Sequence, residues 1–323
     1  RIDFSLLAGY GSYDQLFGGA ELDQYNLWGI GHTARLRGML STKTVNAAYT
    51  YGIPEFLARN LGLYATIDAL LREELTFERQ ELATSIGLRK SFPVSRMQLG
   101  LRYSYQFLKA QDESDTTLTV EDFTRVSAVI LDGQIERRDN PLAPRRGYRA
   151  FGNIEVANPA LASEAQYELL QAGFSGHLPL RRGLILHGAL QHGVIFSPEP
   201  AVDLPFNKRF IPGGENSVRG YRRGGASPYN AAGEQIGAET FLQWNLELEQ
   251  YLTERWSIVA FLDGVGIAAD LENYPFDEVL WSVGGGIRWN SIIGPVRVEY
   301  GYNLTPRTFD PEGTLHVSIG YPF

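Results

Sequence analysis

The 323-residue chain contains no cysteine. That absence excludes disulfides and thiolate metal sites, and it suits an oxidising compartment where stray thiols are a liability. Long apolar runs are missing too. The longest clean ones, such as Trp256 to Leu262, fall far short of the roughly 18 residues a bilayer-spanning helix needs. No basic segment followed by an apolar stretch opens the chain, so Arg1 is expected to be the cut end of a mature or trimmed protein. Basic charge is scarce: the formal net charge of −8 argues against a general nucleic-acid binder. Enzyme signatures are also lacking. Gly173-Phe174-Ser175-Gly176-His177 is one glycine out of place for a nucleophile elbow, His-Glu-x-x-His does not occur, and the five histidines are scattered. No catalytic residue, cofactor or metal site is expected.

What the sequence does have is alternation. Met97, Leu99, Leu101, Tyr103, Tyr105 and Phe107 alternate with Gln98, Gly100, Arg102, Ser104 and Gln106. This is period two, with one face too apolar and aromatic for water. The pattern returns in Trp281–Asn290, in Val296–Asn303, and in Leu315, Val317, Ile319, Tyr321 and Phe323. Aromatic residues gather at the strand ends, where amphipathic rings favour a membrane interface. A soluble sandwich also alternates, but its strands usually run to about 5–6 residues. The strands here are roughly 9–13 residues long, close to what a tilted strand needs to cross hydrocarbon. The mean hydropathy of −0.19, which alone would suit a soluble protein, is what half-polar strands give.

The same reading places sixteen strands, near 2–12, 16–26, 31–42, 44–53, 61–73, 80–91, 95–108, 122–136, 147–157, 165–178, 183–195, 238–250, 255–264, 279–290, 295–303 and 314–323. An even number suits a single-chain antiparallel transmembrane β-barrel of an outer membrane. The stretch Leu57–Arg72 also admits a helical reading. Connections after even-numbered strands are mostly short, while those after odd-numbered strands include 109–121, 265–279, 304–313 and one of about forty residues, 196–237. His187 and His192 lie five apart on one strand, face opposite sides and cannot share a metal. Acid pairs such as Glu73-Glu74, or Glu247 with Glu249, suit a lumen wall better than acid–base catalysis. No linker or second domain appears in residues 1–323.

The long connection carries Arg209-Phe210-Ile211-Pro212-Gly213-Gly214-Glu215-Asn216-Ser217-Val218-Arg219-Gly220-Tyr221. With its place between strands eleven and twelve, this string resembles the BamA/TamA superfamily of outer-membrane assembly barrels. So do Asp139–Arg149, Phe261-Leu262-Asp263-Gly264-Val265-Gly266, Val283–Trp289, Gly294-Pro295-Val296-Arg297 and the terminal Phe323. The resemblance implies that the loop folds back into the lumen and that the arginine of its Val218-Arg219-Gly220-Tyr221 tip meets acidic residues on strands twelve and thirteen. Alternation selects the same partners. Leu242, Trp244, Leu246 and Leu248 toward lipid turn Glu247 inward; Trp256, Ile258, Ala260 and Leu262 toward lipid turn Asp263 inward. A guanidinium inside a barrel needs such compensation. Gly213 and Gly214 would allow the loop's reversal and Gly220 a close backbone approach.

The resemblance also directs attention to the seam between first and last strands. Phe4, Leu6 and Tyr10 face lipid on the first, while Gly320 and Pro322 interrupt the last, since proline removes a ladder donor. A weak seam would leave strand edges able to template an incoming strand. Ile319, Tyr321 and Phe323 resemble the C-terminal signal by which such barrels are themselves assembled. The expectation is an outer-membrane assembly or insertion factor, TamA-like because the loop after Tyr221 is short. Its partners would be the bilayer, unfolded client polypeptides and a periplasmic or inner-membrane protein reached through POTRA domains upstream of Arg1. The alternatives are a two-partner secretion pore exporting one dedicated polypeptide, a barrel anchoring an upstream patatin-like lipase and, least favoured, a diffusion porin.

Overall fold

The computed structural model describes residues 1–57, 59–112, 123–141, 143–198, 204–231, 233–291 and 294–319. Its strands are β1 (Ile2–Gly11), β2 (Gln15–Leu27), β3 (His32–Ser41), β4 (Thr44–Ile53), β5 (Leu61–Glu73), β6 (Phe77–Phe92), β7 (Met97–Asp112) and β8 (Thr124–Glu136). They continue with β9 (Gly147–Ala157), β10 (Tyr167–Arg181), β11 (Leu184–Phe196), β12 (Thr240–Tyr251), β13 (Trp256–Ala268), β14 (Glu278–Ser291), β15 (Gly294–Asn303) and β16 (Gly313–Ile319). Each pairs antiparallel with its chain neighbour, and β1 meets β16 to close the barrel. The segment that admitted a helical reading is β5, because Ile67 and Leu71 are exposed while Thr66, Asp68 and Arg72 turn away from them.

The outer face carries the apolar half of the alternation. Leu99, Leu101 and Tyr103 are exposed while Ser104 and Gln106 are buried; Leu246 and Leu248 are exposed while Glu247 and Glu249 are buried. A closed barrel with apolar side chains outside and carboxylates inside is stable only with hydrocarbon around it. Trp256 stacks on Trp289 with centroids 5.7 Å apart at one end of that face.

The inner face is less polar than alternation suggests. Val126, Ala128 and Ile130 of β8 pack with Leu108, Tyr167, Ile195 and Leu204. Val265 and Ile267 of β13 pack with Phe241, Leu280 and the loop residues Val218, Tyr221 and Ala226. Phe210 touches both clusters. β13 is thus apolar on both faces, which is why it held the longest apolar run. The expected asymmetry of connections is reversed before β7, where the links at 12–14, 42–43 and 74–76 are shorter than those at 28–31, 54–60 and 93–96.

Candidate functional site

Between β11 and β12 the chain crosses to many parts of the wall. The bridge between Phe210 and Ala238 ties its two limbs together. Gly213 and Gly214 take φ of 122° and 104°, and a side chain at Gly213 would strike the backbone of Arg222, Gly225 and Ala226. These left-handed conformations favour glycine. The reversal they make lets Ser217 donate to Gln243 at 2.5 Å and to be held by Asn245, whose side chain donates to its carbonyl at 2.7 Å. On other walls Lys208 pairs with Glu155 at 2.7 Å and Arg223 with Glu74 at 3.4 Å, while Arg307 donates to the carbonyls of Gly225 and Ser227.

Arg219 is the most heavily engaged residue of this loop. Its Nε and Nη2 donate to the two oxygens of Asp263, each at 2.8 Å, and its backbone N–H adds a third bond to that carboxylate at 3.1 Å. Nη1 reaches Glu247 at 2.6 Å and Glu299 at 3.2 Å. The guanidinium also lies 3.4 Å from the centroid of the Phe261 ring. Burial alone would loosen its proton, but Asp263, Glu247 and Glu299 outweigh burial and hold its pKa above the ordinary value. His316 Nε2 donates to the Arg219 carbonyl at 2.9 Å, and Thr314 donates to the Gly220 carbonyl at 2.8 Å. A Cβ at Gly220 would overlap the Asn303 side chain, so only glycine allows the backbone so close to β15. Val218 and Tyr221 are buried among Phe241, Val265, Ile267 and Leu280.

The structure therefore brings Val218, Arg219, Gly220, Tyr221, Glu247 and Asp263 together, with Gly213 and Gly214 at the base of the turn. It adds residues that sequence reasoning did not name as partners. Arg288 of β14 donates to both oxygens of Glu247, at 2.6 and 2.8 Å, and to Glu299 at 2.8 Å. Alternation had turned Arg288 and Glu299 inward; what it lacked was the register that puts them beside Arg219. The same register sets His187 opposite His177, with their Nδ1 atoms 2.7 Å apart, and places the other nitrogen of His187 3.2 Å from Glu249. His187, Glu247 and Glu249 are the residues here that could hold a metal, each with a ligand atom within 4.8 Å of the others.

At the seam, two residue pairs join β1 to β16 among the described residues, Tyr10 with Ile319 and Gly11 with Ser318. Other neighbouring strands share from seven pairs, β15 with β16, to sixteen, β6 with β7. Ser12 adds bonds to the Val317 backbone. Phe4 and Leu6 are exposed, and the β1 edge from Ile2 to Gly9 meets no strand on the β16 side among the described residues. Gly320, Tyr321, Pro322 and Phe323 lie outside the described residues.

The sequence profile of the Omp85 superfamily domain matches residues 26–323. The chain is 24% identical to the outer membrane protein assembly factor BamA of Neisseria meningitidis serogroup B, over 98% of its own length and 46% of the relative's. It is 24% identical to BamA of Nitratidesulfovibrio vulgaris over 92% of its length and 38% of the relative's. It thus spans less than half of these relatives. In fold it is similar to Haemophilus ducreyi BamA lacking POTRA domains 1–3, with a TM-score of 0.82 at 20% identity, covering 98% of this chain and 70% of that one. CdiB from Acinetobacter baumannii gives a TM-score of 0.63 at 12% identity, over 99% of this chain and 59% of that one.

Proposed function

The chain belongs to the Omp85 superfamily, and from that premise we propose that it is the membrane barrel of an outer-membrane protein assembly factor. The observation that carries this reading is the narrow seam. Among the described residues Ile2 to Gly9 of β1 pair with no residue of β16, and unpaired backbone edges recruit strands by β-augmentation. A client strand could pair there without first breaking a long ladder. The loop fastened by Arg219 would hold the wall from β12 to β16 in shape while the seam opens. Unfolded outer-membrane polypeptides and the bilayer are the proposed partners, and POTRA domains upstream of Arg1 the proposed link to the periplasm. A TamA-like role rests only on the short loop after Tyr221, whereas the curated relatives above are BamA proteins.

The chain lacks cysteine, so a single engineered disulfide tests this cleanly. Tyr10→Cys with Ile319→Cys should cross-link the paired positions when oxidised. Insertion of a client barrel into proteoliposomes should then stop and return on reduction. Equal insertion by the oxidised and reduced forms would overturn the reading. The likeness to CdiB keeps a second reading, export of one dedicated polypeptide, in play. Export through the lumen would survive the seam cross-link but would require the loop to leave.

A further inference from the structure

Away from the seam, the carboxylates and guanidiniums inside the barrel do not balance. Asp263, Glu247, Glu249 and Glu299 are all buried and contact one another's partners, while among the described residues Arg219 and Arg288 are the guanidiniums paired with them. Arg297 acts on Glu299 from farther off, which leaves about one negative charge over. Buried anionic excess of this size is costly unless a cation neutralises it.

The excess is centred on Glu249. Its Oε1 accepts from Ser257 at 2.5 Å, and its Oε2 lies 3.2 Å from His187 Nε2 and 3.9 Å from Arg288. We propose that His187 and Glu249, with Glu247 as a shared third ligand, form a binding site for a borderline divalent cation of the Zn²⁺, Ni²⁺ or Co²⁺ type. An ion bound at about 2.0–2.2 Å to both atoms with a tetrahedral angle holds them about 3.4 Å apart, close to the spacing present. Imidazole in the set favours these ions over Mg²⁺. His177 supplies the outer contact that a ligating histidine needs. With the ion bound, His177 Nδ1 would accept the Nδ1 proton of His187 across their 2.7 Å contact, leaving the Nε2 lone pair of His187 for the metal. Any proton on His187 Nε2 leaves to water as the ion enters. A cavity of about 350 Å³ lined by His177, His187, Glu247, Glu249 and Tyr251 runs to Ala143 and Pro144 in the β8–β9 turn, giving the ion a route.

The competing arrangement is a proton chain, with His177 donating to His187 and His187 to Glu249. It satisfies those bonds but leaves the charge excess in place; the buried His177 Nε2 has no partner among the described residues in either arrangement. Calorimetric titration of Zn²⁺ into the detergent-solubilised, chelator-treated, untagged protein separates the two. One ion should bind per barrel and raise its unfolding temperature, while Mg²⁺ should do neither. His187→Ala should abolish binding, and His177→Ala should weaken it by about 10–100-fold, the usual effect of losing an outer-shell partner. His192→Ala should change nothing, because His192 bonds Phe241 and Tyr274 instead. Unheated gel migration identifies any variant that fails to fold, and the Co²⁺ absorption spectrum of the unmodified protein gives a second measure. Absence of Zn²⁺ binding, or binding that survives in folded His187→Ala, would overturn the proposal.

Discussion

At the scale of single residues, Arg219 shows how a charge can be necessary without being a large source of stability. Replacing a buried ion cluster wholesale by apolar groups is often neutral, but removing one member strands the others. Arg219→Ala would leave Asp263 with no guanidinium and Glu247 and Glu299 with Arg288 alone. A loss of about 3–5 kcal/mol is expected, read as a lower denaturation midpoint in detergent. Arg219→Lys should recover only part, since an ammonium cannot bridge both Asp263 oxygens. Glu215 makes the opposite case. Burial, set against Arg297, lifts its carboxyl above the ordinary range, and its Oε2 is buried without a hydrogen-bond partner among the described residues. The folded barrel therefore holds this proton more tightly than the unfolded chain. Its contribution to stability is present below the ordinary carboxylate pKa and lost as pH rises through the raised value. Glu215→Gln should remove that slope above the ordinary carboxylate pKa, in unfolding midpoints measured as pH rises from that value. The Arg219 partners on β12 and β13 were legible from alternation. Glu299, Arg288 and the His177–His187 pair were not, because each depends on cross-strand register, which no local pattern encodes.

The loop between β11 and β12 is held at the scale of an element by two forces of different size. Each buried apolar side chain such as Val218 or Tyr221 contributes about 1.5–3 kcal/mol. The ion cluster spends most of its attraction on desolvation and chiefly fixes where the loop sits. Tyr221→Ala should accordingly cost about 3–5 kcal/mol and make the loop accessible to protease while leaving the barrel's strand content intact by circular dichroism. Failure to expose the loop would mean that the ion cluster alone anchors it. The sequence carried a sign of this anchoring. β13 alternates Ser257, Val259, Phe261, Asp263, Val265 and Ile267 on its inner side, mostly apolar where a water-filled lumen would call for polar groups. Something apolar had to lie against it, and Val218, Tyr221 and Ala226 do. Strand ends were less legible: β6 starts at Phe77 and β7 runs to Asp112, beyond the alternation that located them, because pairing continues past the apolar band.

Viewed as a whole, the molecule is a barrel whose strand number could be read from period two and strand length. Its wall is uneven. β6 and β7 have 16 residues each, whereas β1 has 10 and the described part of β16 has 7. At about 3.3 Å per residue, β1 has less than two thirds of the length of β6 or β7. The loop touches residues of β6, β7, β9 and β12–β15. A chain cannot easily push such a loop into a cylinder that is already shut. The order of events in the protein's own folding is thereby constrained: the sheet must curl around the loop while still open, and β1 must meet β16 last. A joint closed last needs only enough pairing to finish the cylinder, and among the described residues the seam has two pairs.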